Sequence, residues 1–156
     1  MKPVWDAAHF LRSVRNRLRF GELSRAPLRL LRLELREELA ECEWMARPPD
    51  AFDSELSAAV VQRNQTLQAL QDAIAVRELL FDALPHVRTA KLRVYRSTVG
   101  GSADLIITGT VSQEDPAPLR VSSIAMRAKL CGFHFSLEGG VLEPLHMKDR
   151  NLEFAT

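Results

Sequence analysis

The chain has 156 residues, of which 46% are hydrophobic and 26% charged. These are the proportions of one folded domain with a sizeable core, and they exclude an intrinsically disordered chain. Two cysteines, Cys42 and Cys131, exclude a disulfide framework. The net charge of +1 excludes nothing, but its distribution is uneven: residues 1–33 carry net +6, residues 34–85 net −7 and residues 86–156 net +2. Opposed blocks of this kind suit self-complementary contacts, within one chain or between copies.

In chain order, Pro3 to Phe20 predicts a helix. Proline suits its first turn, Val4, Ala7, Leu11, Val14 and Leu18 recur on one face, and Gly21 is a natural stop. No signal-peptide core follows the first residues, and no stretch approaches the roughly 20 apolar residues of a membrane span. The expected compartment is the cytoplasm. After a connector at 24–27 comes "RLLRLELREELAECEW", Arg29 to Trp44. As a hairpin with Glu37-Glu38 at its tip, it sets Leu35 opposite Ala40, Leu33 opposite Cys42 and Leu31 opposite Trp44. On the other face Arg32 meets Glu43. A Glu-Glu tip and Glu34 opposite Glu41 count against it. The competing helix has good propensity but leaves Leu30, Leu33 and Trp44 on the wrong side. The hairpin is the better reading.

Arg47-Pro48-Pro49-Asp50 is a break. A long helix is expected from about Asp53, as cap, to Leu84, with a stripe of Leu56, Val60, Leu67, Leu70, Ile74 and Phe81. About 32 residues would span roughly 48 Å. A domain of this size is about 40 Å across. Such a helix breaks near Asn64–Gln65 or overruns the domain, and an overrunning apolar stripe calls for a second copy. Ala90, Leu92 and Val94 alternate with Lys91, Arg93 and Tyr95 in a half-buried strand. Beyond a Gly100-Gly101 turn, a second strand carries Leu105, Ile107 and Val111 and should pair antiparallel with the first. Asp115-Pro116 opens a helix to about Leu130, with Val121, Ile124, Ala125 and Ala128 inward and Gly132 as its end. Phe133–Leu137 is a strand, Gly139-Gly140 a turn and Val141–Leu142 a short strand.

The element order is α-β-β-α-β-β-α-β, an α+β fold with helices packed on a mostly antiparallel sheet. One domain covers residues 1–143, and 144–156 form a loosely held tail. Over residues 66–137 the order α-β-β-α-β, with "LIITGTV" ahead of a helix containing alanines, resembles that of the BON domain, a small binding module. The resemblance is one of element order, not of a specific motif, and assigns the chain to no family.

Site chemistry is sparse. Cys131-Gly132-Phe133-His134 has a Cys-x-x-His spacing with His146 downstream, but a structural zinc needs four ligands and Cys42 would have to come from a remote hairpin, so no metal is expected. Asp50, Asp53 and Glu55 sit at a helix start and read as capping residues. The double glycines belong to no phosphate-binding pattern, and no cofactor is expected. No nucleophile motif is present. The most suggestive feature is the arginine row Arg12, Arg15 and Arg19, with Arg17, Arg25, Arg29 and Arg32 nearby. Guanidinium groups bind phosphates or carboxylates in two-pronged fashion. The expected function is a non-catalytic protein-interaction or oligomeric module that self-associates, most simply as a homodimer, with Leu67, Leu70, Ile74 and Phe81 at its interface. A nucleic-acid-binding protein using Arg12, Arg15 and Arg19 is the first alternative. An enzyme with a pocket near Arg93, Tyr95 and His134 is the second.

Overall fold

The computed structural model describes residues 2–49, 55–115 and 121–145, with side chains from Asp6 onward. Five strands form one sheet in the order β1-β2-β3-β4-β5: β1 (Arg29–Arg36), β2 (Leu39–Met45), β3 (Thr89–Ser97), β4 (Ala103–Ser112) and β5 (Phe133–His134). Three helices, α1 (Lys2–Arg17), α2 (Ala58–Ala83) and α3 (Ile124–Leu130), complete an α+β fold. The last strand of the expected order is split. β5 leaves the main sheet after two residues, and β6 (Leu137–Glu138) pairs with β7 (Val141–Leu142) around the Gly139-Gly140 turn. Neighbouring strands are antiparallel except β2 and β3, which are joined through α2 and run parallel.

Residues 29–45 form the hairpin. Leu35 opposes Ala40, Leu33 opposes Cys42, Arg32 opposes Glu43 and Glu34 opposes Glu41, all as expected. One pairing differs. A register shift between Leu30 and Arg32 puts Leu30, not Leu31, opposite Trp44. A bulge adds a residue to one strand, so Leu31 turns outward and is 42% exposed. The Glu-Glu tip is tolerated because Glu37 adopts φ +50°, the left-handed conformation that glycine usually supplies at a two-residue turn. The Glu38 carbonyl accepts hydrogen bonds from the amides of Arg88 and Thr89, at 2.8 and 3.2 Å, tying the tip to the start of β3.

The core lies between one sheet face and the helices. Ala40, Cys42 and Trp44 on β2 and Ala90, Leu92 and Val94 on β3 are all fully buried. Ile107 and Val111 on β4 join them, while a register shift beside Tyr95 places Leu105 opposite that tyrosine. From α1 the buried residues are Phe10 and Val14, with Leu18 half-buried. Leu11, expected inward, is 44% exposed at the edge of the helix. The helix also stops at Arg17, earlier than the Gly21 stop expected.

α2 starts at Ala58, capped by the Ser57 hydroxyl, which accepts from the Val60 amide. Asp53, the expected cap, lies outside the described residues. The helix is continuous through Asn64–Gln65. Its 26 residues span about 39 Å, so the late start removes the expected overrun. Its buried residues occupy more than one face, because α1 and α3 both pack against it beside the sheet. α3 is shorter than expected, with Ser123 as its cap; residues 116–120 lie outside the described residues. Of the expected tail, Leu145 donates its amide to the Leu105 carbonyl at 2.7 Å, and 146–156 lie outside the described residues.

Candidate functional site

The segment between α1 and β1 has little regular structure, and a buried polar network holds it. Arg47, just beyond β2, donates from Nε to Asp72 Oδ2 at 2.8 Å and from one Nη to Asp72 Oδ1 at 3.1 Å. Its other Nη donates to the Ala26 carbonyl at 2.6 Å. The Arg47 and Asp72 side chains are 1% and 3% exposed, a fully desolvated ion pair. Burial pushes the Asp72 carboxyl up, and the Arg47 and Gln68 hydrogen bonds pull it back. Gln68, one turn before Asp72 on α2, donates to Asp72 Oδ1 and accepts the Leu23 amide at 2.6 Å. Any Cβ at Gly21 would collide with the Gln68 amide. Ser24 Oγ donates to the Pro48 carbonyl at 2.9 Å. Residues 21–26 are thereby fastened to α2 and to the end of β2.

Directly after the fastened segment, Pro27 and Leu28 join α1 and β1 in lining a groove. The lining is apolar at Leu11, Val14, Leu18, Pro27, Leu28 and Leu30 and polar at Arg15, Asn16 and Arg19. Its volume is about 560 Å³. Arg12, Arg15 and Arg19 do not form one helical row, because α1 ends at Arg17. The bend at 18–20 nevertheless keeps Arg15 and Arg19 on the same groove. Arg19 lies over the Phe20 ring, 5.3 Å from its centroid, and Phe20 is 62% exposed. Arg12, Arg15, Arg17, Arg19 and Arg29 are all exposed and make no ion pair with another described residue.

The sheet face away from the core is charged and internally paired. Arg32 pairs with Glu34, Glu41 and Glu43, Arg36 with Glu34, and Arg93 with Glu43. The Arg36 hydrogen bond, with the Arg32 charge behind it, holds the Glu34 carboxyl below the ordinary range. Cross-strand register places Arg32, Glu43, Arg93, Thr108 and His134 in one transverse line over all five strands. Arg93 and His134 thus share a line, and Tyr95 is two residues further along β3.

The four stripe residues sit in different surroundings. Leu70 and Ile74 are buried in the chain's own core, Phe81 packs partly against it under Arg77, and Leu67 is 40% exposed. Cys42 is buried, with its thiol pushed up to about 12, and burial raises Cys131 as well. Neither is a ready thiolate nucleophile at neutral pH. Among the described residues no three His, Cys, Asp or Glu side chains are grouped to hold a metal ion. No described helix is long and apolar enough to cross a membrane.

Sequence reasoning missed the Arg47–Asp72–Gln68 network. Its available signal was Gln68 and Asp72, a polar pair at i and i+4 amid the apolar residues of "LQALQDAIAV". The α-β-β-α-β order over residues 66–137 is present as α2-β3-β4-α3-β5. Compared with known families, with curated proteins and with solved structures, the chain matches none of them.

Proposed function

We propose that the protein is a non-catalytic interaction module whose α1–β1 groove takes an acidic, leucine-bearing segment of a partner protein. The observation that supports this is an imbalance of pairing. Four acidic residues of the 34–85 block, Glu34, Glu41, Glu43 and Asp72, are already bound to arginines of the same chain. Arg15 and Arg19, exposed on the groove lining, and Arg12 on the same helix make no ion pair with another described residue. They stand beside the apolar side chains of that lining, so the complementary ligand has carboxylates for the arginines and apolar side chains between them.

A second copy of the chain is the competing partner: its engaged carboxylates are not available to the groove, although Glu37, Glu55, Glu78 and Asp82 are exposed. Nucleic acid would meet the same arginines, but a phosphate backbone makes no use of a leucine floor. The test is fluorescence anisotropy with a labelled 12-residue amphipathic Glu/Leu peptide and, separately, a labelled DNA duplex. The peptide should bind, weaken as salt is raised, and bind more tightly than the duplex at equal ionic strength. No peptide binding at low salt, or tighter binding of the duplex, overturns the reading.

A further inference from the structure

The segment 26–28 has two sides. One closes the α1–β1 groove. On the other, Pro27 and Leu28 wall a separate cleft of about 600 Å³ that also takes in Met45, Pro48 and Pro49. That volume is in the range of small-molecule sites. The cleft lies at the carboxyl ends of β2 and β3, the parallel pair joined by α2.

Among the described residues the charged groups lining this cleft are of one sign: Arg29, Arg47 and Arg96 line it, together with Gln65 and Ser97, and no carboxylate does. Each nitrogen of Arg47 is engaged, by Asp72 or by the Ala26 carbonyl. Arg96 is half-buried and held in place by one bond, from Nη1 to the Leu142 carbonyl at 2.8 Å. Its remaining nitrogens make no hydrogen bond with another described residue, and Arg29 is in no ion pair. Two cations with donors to spare, over a wall of proline, leucine and methionine, match a small anion with an apolar body.

We infer that this cleft binds amphipathic monocarboxylates, with the carboxylate on Arg96 and Arg29 and the hydrocarbon against Pro27, Leu28, Met45, Pro48 and Pro49. The cleft shares Pro27 and Leu28 with the partner groove, but Arg29 and Arg96 lie outside that groove's lining, and the assignment stands without the groove's proposed occupant. The test is calorimetric titration of the full chain with sodium decanoate below its micelle concentration, beside decanol and sodium acetate. Decanoate should bind, and decanol and acetate should each bind at least about tenfold more weakly, because each lacks one half of the recognition. Arg96→Gln should weaken decanoate by about tenfold or more. Because Arg96 also holds Leu142, Arg29→Gln is the companion variant; that side chain is exposed and supports nothing inside the fold. A decanoate titration without heat, decanol binding as well as decanoate, or unchanged affinity in both variants would overturn the assignment.

Discussion

Two arginine-rich regions of this molecule behave in opposite ways. On the open sheet face, Arg32, Arg36 and Arg93 each meet a carboxylate from a neighbouring strand or residue. At the α1–β1 groove, Arg15 and Arg19, with Arg12 on the same helix, meet none among the described residues. The first region sets its arginines among the glutamates of the hairpin, and the second lies in the basic N-terminal block. The hairpin delivers Glu41 and Glu43 to the first region from β2, and Glu34 pairs with Arg32 and Arg36 along β1 itself. No described carboxylate reaches the arginines of the second, and our proposal is that a partner protein supplies their complement. Pairing state, rather than arginine count, separates a surface that stabilises the sheet from one suited to binding.

The largest expected effect is on what keeps the groove in shape. Asp72→Ala leaves Arg47 charged and buried without its partner and frees the Gln68 contact to Leu23. It should cost about 3–5 kcal/mol in chemical denaturation. Peptide binding should fall with it, since residues 21–26 lose their anchor. A loss below about 1 kcal/mol would mean that the network does not fasten the segment.

Next is the groove itself. The triple variant Arg12→Gln, Arg15→Gln, Arg19→Gln should weaken the acidic peptide by tenfold or more, taking about 1.4 kcal/mol as the equivalent free energy. Its folding stability should stay within about 0.5 kcal/mol of the parent for each position, as for exposed side chains without partners. The sheet face should answer in the reverse sense. Glu43→Gln removes the acceptor shared by Arg32 and Arg93. It should cost up to about 1 kcal/mol of stability, with the loss shrinking in high salt, and leave peptide affinity unchanged. Were Glu43→Gln to change affinity as much as the arginine triple, the contrast between the regions would collapse.

The smallest effect is at the hairpin tip. Glu37→Gly relieves a left-handed residue and should stabilise the fold by about 0.5–1 kcal/mol in thermal or denaturant unfolding. A destabilisation there would show that the Glu37 side chain contributes more than its backbone costs.

Much of the fold was legible because its signals were redundant. The hairpin at 29–45 has apolar partners that agree in one register, and that agreement outweighs the unfavourable Glu-Glu tip. The bulge was not legible, because Leu30 and Leu31 are the same residue type and pattern alone cannot choose between them. The start of α2 was misplaced because Asp53 and Ser57 both have capping side chains. The long stripe on α2 was drawn for a helix with one buried face. In the fold α1 and α3 flank α2, and polar Gln68, Asp72 and Arg77 are buried alongside Leu70 and Ile74.

The site was legible only in part. Arg15 and Arg19 were singled out from helical spacing, yet the bend after Arg17 is what aims them at the groove. Pro27 joins the groove lining from a segment that reads as a connector, with Leu28 just after it and Leu30 on β1. That segment takes its shape from a long-range ion pair between Arg47, in a proline-flanked break, and Asp72, 25 residues later. Local pattern carries no signal for a pairing at that distance.

The most direct measurement of the central claim is amide chemical-shift mapping of the labelled protein during titration with the acidic Glu/Leu peptide. The largest shifts should fall on residues 11–20 and 27–31, with Lys91, Arg93 and Thr110 on the sheet face unmoved. Shifts centred on those three residues, or none at saturating peptide, would contradict it.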